Sequence, residues 1–294
     1  MANYIRDMMN ELVDLDNRVP VVAPPTEAIS ASAFEKQDFT TLYWLGGGGF
    51  LLNARGTIIL IDPILELKSE TPMVDAAGHI MLRPFPLYTK DVVRCDMILF
   101  THDDADHANP ETINQLADRD IPLMGSARVF ETLVKQGMKP YNYTVCHAGE
   151  KYEVNDIKIE ITPGDHPWHC IDDGKRFYPE DCVGFIVRTG DGGVYFTGDT
   201  RLMQENLYYE DIVLLPLDVS RCIFHLSRPG AALLANKYAD AYLVPYHYGM
   251  FDAPDCPAQE GGDPELVLIN VNNRERAQVV GPGHPVSIHD RKLI

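Results

Sequence analysis

The chain has 294 residues, 45% hydrophobic and 23% charged, ordinary proportions for a globular protein able to bury a sizeable core. Its formal charge of −18 repels polyphosphate backbones, and no Lys/Arg cluster offers a basic groove, so nucleic acid is disfavoured as a partner. The acidic Met1–Pro20 stretch lacks the apolar run of a secretory signal, and no apolar run is long enough to cross a bilayer.

Six scattered cysteines (Cys95, Cys146, Cys170, Cys182, Cys222, Cys256) form no Cys-x-x-Cys pair. The expectation is reduced, mostly buried thiols in a cytoplasmic protein. Along the chain, Ile5, Met8, Met9, Leu12 and Val13 fall at helical spacing, predicting a short helix over 4–16. Residues 19–33, with Pro20, Pro24 and Pro25, read as an extended arm. Residues 1–38 are thus taken as helix and arm, and 39–294 as a single domain.

Within that domain Thr41–Leu45, Phe50–Asn53 and Thr57–Asp62 predict a meander, and Asp96–Thr101 a strand. Helices follow over 110–118 and 127–136, with strands near 122–124, 142–146 and 157–162. The second half predicts strands at Val183–Arg188, Val194–Thr197 and Ile212–Leu215, a helix over 229–238 and the strand Ala241–Pro245. A last helix over 264–273 precedes a strand near Val279. Strands and helices interspersed in both halves imply a layered α/β domain with two mixed sheets. Gly46–Gly49 lacks a Gly-Lys-Ser/Thr ending and runs into strand-like Phe50-Leu51-Leu52, so it reads as a hairpin turn and not a phosphate loop.

Four segments place His or Asp at or just past a strand end. The first, His102-Asp103-Asp104-Ala105-Asp106-His107, packs two histidines and three carboxylates into six residues, an odd choice for a merely solvated turn. A turn leaving a strand directs alternate side chains toward one point, so His102 and Asp104 suit one metal, and Asp106 and His107 a second. The others are Gly164-Asp165-His166-Pro167-Trp168-His169, Thr197-Gly198-Asp199-Thr200 and Pro245-Tyr246-His247-Tyr248. Each alone is more often a hydrogen-bonded turn residue than a ligand. Together they are four donor groups leaving strands in the same sense.

Ile61-Asp62, Thr-His-x-x-x-Asp-His, Thr-Pro-x-x-His, Thr-Gly-Asp-Thr and Pro-Tyr-His-Tyr, in that order over residues 40–285, resemble the metallo-β-lactamase superfamily. Trp44-Leu45-Gly46 and the segment 245–251 are most similar to the single-domain hydrolases related to ascorbate-6-phosphate lactonase. The resemblance implies a four-layer αββα sandwich with metals at one edge of the sheets. It implies that His102, Asp104 and His166 hold a first metal, Asp106, His107 and His247 a second, and that Asp199 bridges. Asp62 would orient a ligand histidine. The family's usual motif carries histidine where this chain has Asp104, a hard oxygen donor that shifts the expectation from zinc toward manganese or iron, while affinity order alone still allows zinc. Whether Asp104 or Asp103 binds, and whether one or two metals fill, stays open at this level.

The leading reading is a hydrolase in which a metal-bound hydroxide attacks a small ester or lactone, a phosphorylated sugar lactone among them. Asp106 and Asp199 are the candidate catalytic residues, with Asp106 or an unassigned histidine as proton donor to the leaving group. Trp168, His169, Arg221, His225 and Tyr248 are candidate substrate contacts, with Arg221 or Arg228 suited to an anionic group. Phosphodiester hydrolysis, of a small cyclic or nucleotide diester before RNA, is the second reading. A non-hydrolytic di-iron or metal-binding protein is the third. The partner expected is a small molecule, not a membrane, and the arm is compatible with a homo-oligomer.

Overall fold

A computed structural model describes residues 21–66, 80–139, 142–167, 176–252 and 262–294. The helix expected over 4–16, Trp168, His169, Cys170 and Cys256 lie outside the described residues.

Two mixed sheets stack face to face. The first meander supplies β1 (Thr40–Gly46), β2 (Gly49–Ala54) and β3 (Thr57–Ile61), and the chain continues through β4 (Ile80–Met81), β5 (Met97–Leu99), β6 (Leu123–Gly125) and β7 (Tyr143–Val145). Next come β8 (Lys151–Val154), β9 (Ile157–Pro163), β10 (Val183–Thr189), β11 (Gly192–Phe196), β12 (Ile212–Asp218) and β13 (Tyr242–Tyr246). The last strands are β14 (Phe251–Asp252), β15 (Pro285–His289) and β16 (Lys292–Leu293). The larger sheet runs β16-β15-β1-β2-β3-β5-β6-β7 and the smaller β13-β12-β11-β10-β9-β8, while β4 pairs with β14.

Strand periodicity sorts the core. In the larger sheet Leu42, Trp44, Phe50, Leu52, Ile59, Ile61 and Leu99 face the smaller sheet. Their alternates Leu45, Leu51, Ile58, Leu60 and Ile98 face the other way, onto Ile113, Leu116, Val129, Phe130 and Leu133. Those partners belong to α1 (Pro110–Leu116) and α2 (Ala127–Lys135). Because both faces are covered, these strands read as near-continuous apolar runs. Leu234 and Ala235 of α3 (Ser227–Lys237) and Leu268 of α4 (Pro264–Leu268) join the core that contains the smaller sheet. Phe50 ties the sheets together, its ring 5.4 Å from Phe196 and 5.2 Å from Tyr246. Such pairs add about 0.5–1.5 kcal/mol each beyond area burial.

Helix starts have local causes. Asn109 accepts hydrogen bonds from Glu111 N and Thr112 N, with Pro110 in the first turn. Ser126 caps α2 through Val129 N. The end of α3 is held differently. The buried Arg276 guanidinium donates to the carbonyls of Ala235, Tyr238 and Ala241.

Several expectations shift. The helix expected over 264–273 stops at Leu268, because Asn236 of α3 reaches across to Asn270 O and Asn272 N and draws that backbone into a turn. The strand near Val279 is reduced to a single bridge between Ala277 and Leu243, after which Pro282 and Gly283 turn the chain toward β15. Strands β4, β8, β14, β15 and β16 were not anticipated: β4, β14 and β16 have only two residues each, and β8 and β15 are polar on one face. Residues 21–34 are extended up to a 3-10 turn at Ala31–Phe34, and they lie along the domain. Ala23 N donates to Gly249 O, Ile29 N to Pro86 O, and Ala23 and Phe34 are buried. Cys95, Cys146, Cys182 and Cys222 are free thiols. Among the described residues no helix is long and apolar enough to cross a membrane.

Candidate metal centre

Topology gathers the strand-end donors. β3 and β5 run parallel in the larger sheet, and β11, β12 and β13 run parallel in the smaller. β9 points the same way as β11, since each is antiparallel to β10. Asp62, His102, His166, Asp199, Asp218 and His247 therefore all emerge at carboxyl ends of strands. Val183 N donates to Thr101 O, stitching the two sheets at the point where His102 leaves.

Five imidazoles close into a ring. Centroids are 4.1 Å apart for His102–His107, 5.2 Å for His107–His247 and 5.2 Å for His247–His225. The circuit returns through His225–His166 at 5.1 Å and His166–His102 at 4.9 Å. Asp199 lies in the middle: its carboxylate is 3.3 Å from His107 Nε2, 3.3 Å from His225 Nε2, 3.6 Å from His247 Nδ1 and 3.8 Å from His102 Nε2. Asp104 Oδ2 sits 3.0 Å from His166 Nε2 and 3.6 Å from His102 Nε2, and Asp106 3.8 Å from His107 Nε2.

Hydrogen bonds behind the rings aim them. Asp62 Oδ1 accepts from Thr101 N at 2.8 Å, and its Oδ2 takes the Thr101 hydroxyl at 2.6 Å and lies 2.9 Å from His107 Nδ1. A hydroxyl that donates to Asp62 is left to accept from His102 Nδ1, 2.9 Å away, so one aspartate orients two histidines. His166 Nδ1 donates to Phe224 O at 3.0 Å. His166 Nε2 then faces the Asp104 carboxylate, an approach that needs a proton or a metal ion between the two. Asp62 and His247 hold φ values of 45° and 61°, a backbone region few residues other than glycine adopt and one that recurs where function sets the geometry.

Two glycines are required by close approach. A Cβ on Gly48 would stand 2.0 Å from His107 Cε1, and a Cβ on Gly198, at φ 61°, 2.7 Å from Thr101 Cβ. The loops are also tied to each other. Arg201 grips Asp165 through Nε and Nη2, at 2.9 Å each, joining the His166 loop to the Asp199 loop.

Charge is dense here. Burial alone would raise the Asp199 carboxyl and lower the His107 and His225 imidazoles, yet their mutual attraction outweighs it. Asp199 is held well below the usual carboxylate range, and His107 and His225 well above the usual histidine range. Asp104 is likewise depressed: burial opposes this, but His102 and His166 prevail. His247 follows burial and is lowered.

These residues fit a metal centre. His102 Nε2, His107 Nε2, His247 Nε2 and Asp199 Oδ1 are buried without a hydrogen-bond partner, a costly state unless a cation completes them. Neutral imidazole and carboxylate are donors to zinc, manganese or iron alike. All seven residues expected as ligands (His102, Asp104, Asp106, His107, His166, Asp199, His247) come together, with Asp62 behind them.

Asp103 and Asp104, left as alternatives by sequence, part company. Asp103 turns away to Arg128, whose Nε lies 3.1 Å from its Oδ2, and to the Thr132 hydroxyl at 2.7 Å. Tyr248, expected as a substrate contact, packs into the core: it is 2% exposed, stacked on Trp44 at 5.2 Å, with its hydroxyl donating to Val280 O. Arg221 is half-buried in the loop leading into α3, and Arg228 is half-buried in the first turn of that helix. His225 lies in the imidazole ring itself. Asp218, Thr101 and Gly48 were missed as site residues. Asp218 bears the one signal available, an aspartate ending an apolar strand as Asp62 does.

Stacked mixed sheets with buried imidazoles and carboxylates at their shared edge define a class, the metal-dependent hydrolases of this two-sheet architecture. The chain belongs to the metallo-β-lactamase superfamily, residues 57–248 matching the family model of the beta-lactamase superfamily domain. A metal-dependent hydrolase of Methanopyrus kandleri is 28% identical over 77% of this chain and 95% of its own. Among solved structures, a possible metal-dependent hydrolase from Veillonella parvula has a TM-score of 0.65 at 18% identity, covering 84% of this chain and 99% of that one. A diiron beta-hydroxylase from Streptomyces venezuelae has a TM-score of 0.51 at 16% identity over 82% of this chain and 48% of that one, a likeness of fold alone.

Proposed function

We propose that this hydrolase cleaves a small ester or lactone, an anionic sugar lactone being the substrate class that suits it best. The observation that carries hydrolysis is the ring of five buried imidazoles around Asp199, with three ring nitrogens left without hydrogen-bond partners. Metals held there supply Lewis acidity toward a carbonyl and an activated water. His102, Asp104 and His166 would hold one ion, Asp106, His107 and His247 the other, with Asp199 between them.

The chain's own residues do the rest. Asp62 and Thr101 lock two ring orientations, so neither imidazole needs to reorganise when substrate arrives. Asp106 is the most exposed carboxylate of the set, its side chain 27% accessible, and that access to solvent suits it to pass a proton to a leaving-group oxygen. The overall charge of −18 favours a small substrate over a polyanion, and Arg221 on the loop bearing His225 and Arg228 at the start of α3 provide cationic groups for a single carboxylate or phosphate. The lactone preference rests on the likeness of Trp44-Leu45-Gly46 and residues 245–251 to lactonase-related hydrolases.

The test pairs a sugar lactone with bis-p-nitrophenyl phosphate, on protein purified without chelator and analysed for metal. Lactone turnover that vanishes on chelation, returns with added manganese, zinc or iron and is lost in Asp199→Ala supports the reading. Faster cleavage of the phosphodiester replaces it with phosphodiesterase activity. Full activity of Asp199→Ala with no metal bound overturns both.

A further inference from the structure

His225 and His107 are built alike. The Nδ1 of His107 lies 2.9 Å from Asp62, an aspartate closing a strand of the larger sheet, and that of His225 lies 2.7 Å from Asp218, which closes a strand of the smaller. Each Nε2 then stands 3.3 Å from the same Asp199 Oδ2. A carboxylate on one ring nitrogen that leaves the other aimed into a cluster of donors is the arrangement that orients histidines on metals. We infer that His225 is a fifth histidine ligand of the metal centre, with Asp218 as the carboxylate that positions it. This rests on the metal-dependent reading above and extends its ligand set beyond the superfamily motifs.

The setting favours ligation over substrate contact. The His225 ring is wedged between His166 and His247, at 5.1 and 5.2 Å, and the residue is 8% exposed. Asp199, Asp218, His225 and His247 are all buried and can each offer a donor atom within 4.8 Å of the others. The loop carrying His225 is held rigid: Asp218 Oδ1 accepts from Ser220 N, Ser220 Oγ from Cys222 N, and Cys222 O from His225 N. Its Phe224 carbonyl orients His166, so one short loop presents one imidazole and aims another. A centre with Asp104 in place of a histidine thereby regains an imidazole donor.

The full-length protein, stripped of metal by chelation, is titrated with Co(II), reading stoichiometry, affinity and the visible absorption that reports ligand number. Wild type and His284→Ala, a change at an exposed histidine, should behave alike. His225→Ala and His225→Gln should bind Co(II) at least about tenfold more weakly with an altered visible spectrum, and Asp218→Asn should weaken it by roughly 10–100-fold. Melting of each metal-free variant checks that the fold persists; the near-isosteric His225→Gln keeps the test valid if the alanine variant unfolds. Co(II) binding by His225→Gln with wild-type stoichiometry, affinity and spectrum overturns the inference while leaving the metal-dependent reading intact. A wild type that takes up no metal overturns both.

Discussion

Gly48→Ala is a one-methyl test of the site. The added Cβ would lie 2.0 Å from His107 Cε1 and 2.7 Å from both ring nitrogens. Ordinary contact begins near 3.4 Å, so the ring must retreat by about 1.4 Å, well beyond the ~0.5 Å within which a site geometry stays productive. A retreat of that size breaks the 2.9 Å contact between His107 Nδ1 and Asp62, a charge-assisted bond worth about 1.5–3 kcal/mol. It also leaves Nε2 outside the narrow range that coordination allows, about 0.2 Å. The expected outcome is a metal-free protein less stable by roughly 2 kcal/mol, with metal affinity down at least about tenfold. Gly47→Ala is the control. Its Cβ meets nothing closer than 3.6 Å, so only the φ of 54° opposes it, at about 1–2 kcal/mol, and metal binding should survive. Denaturant melts and metal analysis of both variants decide the matter. Wild-type metal affinity in Gly48→Ala would refute the claim that the glycine hairpin is a wall of the centre.

Two further outcomes follow from groups elsewhere in the network. Arg276→Ala strips the Ala235, Tyr238 and Ala241 carbonyls of their common donor at the end of α3, and should cost about 2–4 kcal/mol in urea unfolding; a loss under 1 kcal/mol would mean water replaces the guanidinium freely. In metal-free protein the raised His107 and His225 contribute stability that is full below about pH 6.5 and is lost as pH rises through their elevated folded values. The depressed Asp104 and Asp199 contribute above about pH 4 and lose that contribution as pH falls through their lowered values. The lowered His247 opposes the first trend in part. Metal needs these imidazoles unprotonated, so the melting-temperature gap between metal-loaded and metal-free protein should widen from about pH 5 to about pH 8. A gap that is flat or narrows would contradict the electrostatic account.

Much of this centre was legible because its signals are local. A strand that ends in His or Asp announces itself through an apolar run broken by a polar donor, as at Thr101-His102, Phe196–Asp199 and Pro245–His247. The helix predicted over 264–273 ends at Leu268 because its end is set by Asn236, 34 residues from Asn270 in the chain. The Gly46–Gly49 segment forms the hairpin turn its sequence predicts, yet nothing within it discloses that an imidazole lies against it.

Sequence by itself determined most of the central strands, the two-sheet class and the run of donors in residues 102–107, because short apolar runs and strand-end chemistry act over a few residues. Only the tertiary structure decided that Asp104 turns inward while Asp103 pairs with Arg128, that Asp218 and His225 join the cluster, and that Tyr248 belongs to the core. Those outcomes depend on which surface each side chain meets when the sheets stack. Neighbouring aspartates with the same local preferences are separated by partners 25 and 62 residues away, Arg128 and His166.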